Sequence, residues 1–295
     1  VQEPYYSNFI NEFEFQDTED QANVTSELLF DLNSGLPMDR LICGDVGFGK
    51  TEVALRGAFN VAMSGAQVAF IVPTTLLCSQ HYENFTKRFK NFPLKVDQIS
   101  RLNSTSENNK IIERINSGES DVVVGTHALL NSKIKFKKLG MLIIDEEQHF
   151  GVSQKEKIKS LRSNVHVLAL TATPIPRTLQ MSLVGLRDLS IISTAPLNRQ
   201  NINTEVIDFN DEKIISAIEY ELSRNGQVYY VCPRINELKE VEDFLKSKLP
   251  NVKYQIAHGQ MPSKNLKNTM IDFYNNEFQL LPVSYTHLRA HETQP

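Results

Sequence analysis

Gly44-Asp45-Val46-Gly47-Phe48-Gly49-Lys50-Thr51 follows an apolar run, Leu41-Ile42-Cys43, and precedes a helix-like stretch, Glu52-Val53-Ala54-Leu55. The order reads as strand, phosphate loop, helix. Glycines let backbone N–H groups converge on phosphate oxygens, and the helix N-terminus that follows adds its positive end. A lysine and a hydroxyl then complete the ligation of phosphate and Mg²⁺. Gly44, Asp45, Val46, Gly47, Phe48, Gly49, Lys50 and Thr51 are therefore the expected nucleotide cradle.

A phosphate loop names a nucleotide and not a task, so the second signal matters more. Leu142-Ile143-Ile144 runs directly into Asp145-Glu146-Glu147-Gln148. A carboxylate at the C-terminal end of a buried strand can hold Mg²⁺ through its water shell, and its neighbour can take a proton from an attacking water. Asp145 suits the first role and Glu146 the second. An isolated Asp-Glu pair after a strand is more often an acidic turn, but behind a phosphate loop the catalytic reading prevails.

The 295 residues provide for about two domains, and 41% apolar content supports ordinary cores. A net charge of -4 gives no global attraction to nucleic acid, although amides, hydroxyls and a local basic stripe can grip phosphates without it. Lys133-Ile134-Lys135-Phe136-Lys137-Lys138 is either such a stripe or a solvated strand edge. Cys43, Cys78 and Cys232 show neither zinc spacing nor a disulfide framework, which suits a reducing cytoplasm. No stretch has the length of a membrane span, and Val1-Gln2-Glu3-Pro4 is unlike a signal peptide. Lacking an initial methionine, the sequence reads as an internal fragment.

Residues 24–193 alternate β-rich runs with helix-like segments, which predicts a parallel sheet covered by helices on both faces. Further strands are expected at Val68–Val72, Val122–Val124, Met141–Ile144 and Val165–Leu170. Residues 1–23 form a lead-in and 194–202 a linker. A second α/β unit over 203–281 is expected to hold strands at Asn203–Phe209, Gln227–Cys232 and Lys253–Ala257, with helices from Asp211, over Asn236–Leu249 and from Ser263. It has no phosphate loop of its own.

Further segments fall into a recognisable order: Thr18-Glu19-Asp20-Gln21, Pro73-Thr74-Thr75-Leu76-Leu77, Gly125-Thr126-His127 and Thr171-Ala172-Thr173-Pro174. With the phosphate loop and Asp145-Glu146 they resemble a superfamily 2 helicase or translocase motor of the DEAD/DEAH type. More narrowly, Pro37–Leu41, Glu146–Val152 and Thr173-Pro174-Ile175-Pro176-Arg177-Thr178-Leu179 are similar to the motor of the bacterial transcription-repair coupling factors. The fork-reversing helicases are a related alternative. Their acidic motif typically has one glutamate before the glutamine, where this chain has Glu146-Glu147-Gln148.

The resemblance implies a RecA-like first domain, a second and incomplete RecA-like unit, and an ATP- and Mg²⁺-dependent translocase of double-stranded DNA. In that family the motor displaces stalled RNA polymerase and promotes excision repair, through modules outside this stretch. By the same likeness Lys50, Asp145, Glu146 and Gln148 are catalytic, Thr51 and Asp145 hold the metal, and Gln21 reads adenine. Phe13 and Phe15 are candidates to stack on the base or to join the core. Thr171 and Thr173 relay the nucleotide state, while Thr74, Arg101, Thr126, His127, His258, Gly259 and Gln260 touch the DNA backbone.

The family continues beyond Leu280 with a further strand, a Thr-rich motif and an arginine-finger motif. This chain instead runs Pro282-Val283-Ser284 into Tyr285–Pro295, which reads as a non-native tail over 282–295, with His287 and His291 no metal pair. Hydrolysis by the fragment alone is accordingly expected to be crippled. A nucleotide-binding P-loop protein without motor function is the alternative from another class, and the second α/β unit and Thr171–Pro174 argue against it.

Overall fold

The computed structural model describes residues 3–101, 103–151, 154, 156–158, 164–173, 187–196 and 202–284. The chain divides into two compact units, one running to Arg199 and the other beginning at Gln200. The first opens with helices α1 (Glu3–Asn11) and α2 (Glu19–Asn33). Alternation follows: β1 (Asp39–Gly44), α3 (Lys50–Met63), β2 (Gln67–Ile71), α4 (Thr75–Phe89), β3 (Val96–Ile99), α5 (Thr105–Ser117) and β4 (Val122–Gly125). Three more strands, β5 (Leu139–Asp145), β6 (His166–Thr171) and β7 (Asp188–Ile192), complete one seven-stranded sheet in the order β3-β4-β2-β5-β6-β1-β7.

All pairings are parallel, so both faces must be covered and the inner strands read as continuous apolar runs. Alternate residues serve opposite faces. Val68 and Phe70 of β2 join Val24, Leu28, Phe59, Phe85 and Phe89 under the first four helices. Ala69 and Ile71 join Ile111, Ile115 and Leu129 on the other side. Phe9 of α1 stacks on Phe59 with centroids 4.2 Å apart, which docks the N-terminal helix.

The five strands expected from sequence are present within one or two residues, as β1, β2, β4, β5 and β6. The two that were not anticipated, β3 and β7, are the sheet edges. Both carry polar residues inside short strands. The basic run Lys133–Lys138 leads into the start of β5, at the edge of the sheet opposite the phosphate loop.

The second unit contains α6 (Asp211–Ser223), β8 (Val228–Cys232), α7 (Glu237–Lys248), α8 (Ser263–Tyr274) and β9 (Leu280–Ser284). β8 and β9 pair in parallel, and Tyr254 and Ala257 bridge to Leu280 and Val283 on β9. The expected strand at Asn203–Phe209 is not one: the segment has no ladder among the described residues, and Val206 is 97% exposed. Conversely, Pro282–Ser284, which shows no strand period in the sequence, completes β9, with Leu281 and Val283 buried. Residues 285–295, including His287 and His291, lie outside the described residues. Among the described residues no helix is long and apolar enough to cross a membrane.

Edge strand β3 is held by Asp97, which accepts two bonds from Arg114 of α5 and one of 2.5 Å from Ser120 Oγ. Burial alone would raise its carboxyl, but the Arg114 and Ser120 bonds outweigh that and hold it below the ordinary carboxylate range. Asp97→Asn is expected to lower stability by about 1–3 kcal/mol near neutral pH. The share due to charge is complete above about pH 4 and vanishes as pH falls through the lowered folded value. Urea unfolding of the two proteins across that range checks both the loss and its sign.

Candidate nucleotide and nucleic-acid site

β1 ends at Gly44 and α3 begins at Lys50, so the loop residues 45–49 turn directly into a helix N-terminus. Gly49 caps that helix with φ 78°, a left-handed conformation that costs a side-chain-bearing residue roughly 1–2 kcal/mol. Lys50 Nζ donates to Gly44 O at 2.7 Å and to Asp45 O at 3.0 Å, which folds the ammonium back over the loop. Thr51, the next residue of α3, is half-buried.

Gln21 sits against the same loop. Its Nε2 donates to Phe48 O at 2.9 Å, while its Oε1 accepts from Thr18 N at 3.0 Å. Thr18 Oγ1 in turn accepts from Gln21 N, which makes Thr18 and Gln21 a reciprocal cap at the start of α2. Each end of the amide thus has one protein partner, and Gln21 ties the lead-in to the loop. Phe13 is flanked by the guanidinium groups of Arg56 and Arg88 at 5.4 and 5.5 Å, whereas Phe15 is 66% exposed.

β5 delivers Asp145 and Glu146 to the same edge. β6 lies between β5 and β1, with Asp145 opposite Leu170 and Cys43 opposite Thr171. The acids and the phosphate loop are thus two strand spacings apart, about 10 Å. Glu146 is buried and has φ 52°, strain of a kind that clusters at functional sites. It is held there by Glu146 N donating to Leu170 O and by Ala172 N donating to Glu146 Oε1. Gln148 Nε2 donates to Glu146 Oε2. Thr171 and Thr173 meet through their hydroxyls at 2.8 Å, at the end of β6.

These residues suit a magnesium nucleotide: a cationic loop at a helix start, with buried carboxylates at the matching height of the sheet. Burial pushes the Cys43 and Cys78 thiols up to about 11, so neither offers a thiolate at neutral pH.

The candidate backbone contacts follow β2, β3 and β4, on the other half of the same edge. Thr74 caps α4 and its hydroxyl accepts from Leu77 N at 3.2 Å. Arg101 is exposed and His127 half-buried. Thr126 is only 3% exposed, with its hydroxyl turned to Ala128 N, so its side chain is the least available of the set. In the second unit His258 is half-buried, while Gly259 and Gln260 are exposed in the turn before α8. Val152 and Pro174–Leu179 lie outside the described residues.

Residues 18–182 match the DEAD/DEAH box helicases, and residues 211–288 match the helicase conserved C-terminal domain. The chain belongs to the DEAD/DEAH box helicase family. It is 49% identical over 280 residues to the transcription-repair-coupling factor of Rickettsia bellii, covering 94% of this chain and 25% of that protein. The corresponding factor of Staphylococcus haemolyticus is 50% identical over 275 residues, covering 93% and 24%. The chain therefore spans about a quarter of the length of these relatives. Among solved structures, RecG bound to a three-way DNA junction superposes with a TM-score of 0.77 at 30% identity, covering 96% of this chain and 38% of that one. Dbp5 of S. cerevisiae bound to RNA and ADP BeF3 shares the fold, with a TM-score of 0.65 at 16% identity over 95% and 73% of the two chains.

The sequence assigns no role to three residues that tie these elements together. His81 of α4 places Nε2 3.2 Å from Asp145 Oδ2. Arg187 pairs with both Glu147 and Asp39 at 2.8 Å. Asp20 accepts from Ser193 N, Thr194 N and Thr194 Oγ1, and these bonds hold its carboxyl below the usual range.

At Gly49 a Cβ would fall inside contact distance of Gln21 Nε2, in addition to the cost of the positive φ. Gly49→Ala is therefore expected to break the Gln21–Phe48 tie and destabilise the first unit by about 1–2 kcal/mol or more. Thermal unfolding with and without a fluorescent ATP analogue checks this, with a lower midpoint and weakened binding as the expected result.

Proposed function

We propose that the chain is the ATP-driven motor of a transcription-repair coupling factor, stepping along double-stranded DNA. The observation that carries it is the convergence of Lys50, Asp145 and Glu146 on one edge of a parallel sheet whose other half presents Thr74, Arg101 and His127. Identity near one half to the coupling factors, against 30% to RecG, favours this reading over a fork-reversing helicase. Displacement of stalled RNA polymerase and promotion of excision repair belong to the proposal for the whole protein, with those partners met by other parts of it. Three buried free cysteines suit the reducing cytoplasm in which such a factor works.

In this reading the loop amides and Lys50 bind the β- and γ-phosphates, and Thr51 and Asp145 hold Mg²⁺. The ion, when bound, neutralises charge developing on the transferred phosphoryl group. Glu146, fixed by Ala172 N and Gln148, orients the attacking water and takes its proton. Thr171 and Thr173 follow the same strand edge and relay the change. Gln21 keeps its protein partners and turns its remaining donor and acceptor to adenine. The nucleic-acid contacts are hydroxyl, imidazole and guanidinium groups facing phosphates, with Gly259 and Gln260 of the second unit adding to them, which suits a motor indifferent to sequence.

Lys50→Ala is expected to weaken ATP binding or turnover by on the order of 10²-fold; equal values for mutant and parent in titration with a fluorescent ATP analogue and in phosphate release would remove the phosphate-loop assignment. Duplex affinity is expected to fall with log salt in proportion to the phosphates neutralised. Across unrelated duplexes it should vary by less than about 1 kcal/mol, below the cost of one wrong base pair to a sequence reader. Fluorescence anisotropy over a salt series and several sequences measures both.

A further inference from the structure

His81 is 1% exposed and lies on α4, beneath the sheet edge that carries the acids. Its ring is packed against Phe70 of β2, with centroids 4.7 Å apart, and its Nε2 is 3.2 Å from Asp145 Oδ2. An ionised carboxylate only accepts, so the proton of this bond sits on Nε2. Nδ1 is buried and has no hydrogen-bond partner among the described residues. An imidazole buried with one nitrogen unsatisfied is costly, and the polar contact its ring makes is to the acid expected to hold the metal.

We propose that His81 is a positioning residue for Asp145: its Nε2–H fixes the carboxylate through Oδ2 and presents Oδ1 to the water shell of the nucleotide-bound Mg²⁺. The inference rests on the metal-site reading above. It gives α4 a role beyond packing, because the helix capped by Thr74 on the nucleic-acid half of the edge also braces the metal-holding acid on the nucleotide half. Partners that orient a metal-holding group in this way typically change metal affinity about 10–100-fold when removed.

Two substitutions separate positioning from packing. His81→Gln places an amide nitrogen near the position of Nε2, within reach of Asp145, whereas His81→Asn places it near Nδ1 and falls short. Both exchange a buried imidazole for an amide, and thermal unfolding verifies that each variant is folded under the assay conditions. A fluorescent ATP analogue is titrated into each variant of the 295-residue chain in excess EDTA and over a Mg²⁺ series. The expected result is unchanged metal-free affinity throughout, a Mg²⁺ requirement for half-maximal enhancement raised about 10–100-fold in His81→Asn, and a value close to the parent in His81→Gln. Equal shifts in both variants, or no shift in His81→Asn, overturn the role of His81. Asp145→Asn is run alongside: if it too leaves the Mg²⁺ dependence unchanged, the metal-site reading itself fails, and the inference falls with it. If Asp145→Asn shifts the dependence and His81→Asn does not, only the positioning role is lost.

Discussion

The parallel register of β6 against both of its neighbours is the constraint on which the site depends. Parallel strands share a direction, so every strand of the sheet ends at one edge, where ligands of open α/β sheets bind. β6 fixes the height of that edge by pairing Leu170 with Asp145 on one side and Thr171 with Cys43 on the other. The acids, the Thr171 hydroxyl and the phosphate loop therefore emerge on adjacent strands. A one-residue slip would turn Ile143 and Leu168 away from one core and Ile144 and Val167 away from the other. Burial on both faces makes that slip prohibitive, and the geometry of the candidate site is secured by apolar residues of the two cores.

The same burial explains what was legible in the sequence. Inner strands such as Val122–Val124 and Leu142–Ile144 read as continuous apolar runs because both of their faces are covered. The edge strands do not. β3 carries Asp97, satisfied by Arg114 and Ser120, and β7 carries Ser190, which accepts from Arg40 Nη1 at 2.6 Å. Those partners come from distant parts of the chain, and no local period announces them. In the second unit the errors run both ways. Asn203–Phe209 has strand-forming residues but no ladder, while Pro282–Ser284 lacks a pattern and is recruited by pairing with β8. Strand propensity expresses the fit to a neighbouring surface, so a segment without its neighbour gives a false signal.

The candidate site was legible where it resides in contiguous residues. The phosphate loop and the Asp145-Glu146 pair could be read directly, because backbone amides and a strand end supply their geometry. The ties that hold them could not. Gln21 reaches Phe48 across 27 residues, His81 reaches Asp145 across 64, and Glu146 adopts its left-handed conformation only because Leu170 O and Ala172 N are there to meet it.

α4 shows why such ties matter for function. His81 and Arg88 are seven residues apart, two helical turns, and so lie on one face. His81 meets Asp145, and Arg88 Nη2 donates to Glu52 Oε1 at 2.6 Å. Glu52 belongs to α3, one residue after Thr51, and it also accepts from Arg56, which pairs with Asp17 just ahead of the Thr18–Gln21 cap. A single helix face thus bears on Asp145 and on the helix that starts with Lys50. Arg56 and Glu52 are almost fully buried and each has two oppositely charged partners, so breaking one pair leaves buried charge only partly compensated and the network resists piecemeal rearrangement. Displacement of α4, whose N-terminus carries Thr74, would have to move the acid and the phosphate-loop helix with it or break bonds to both.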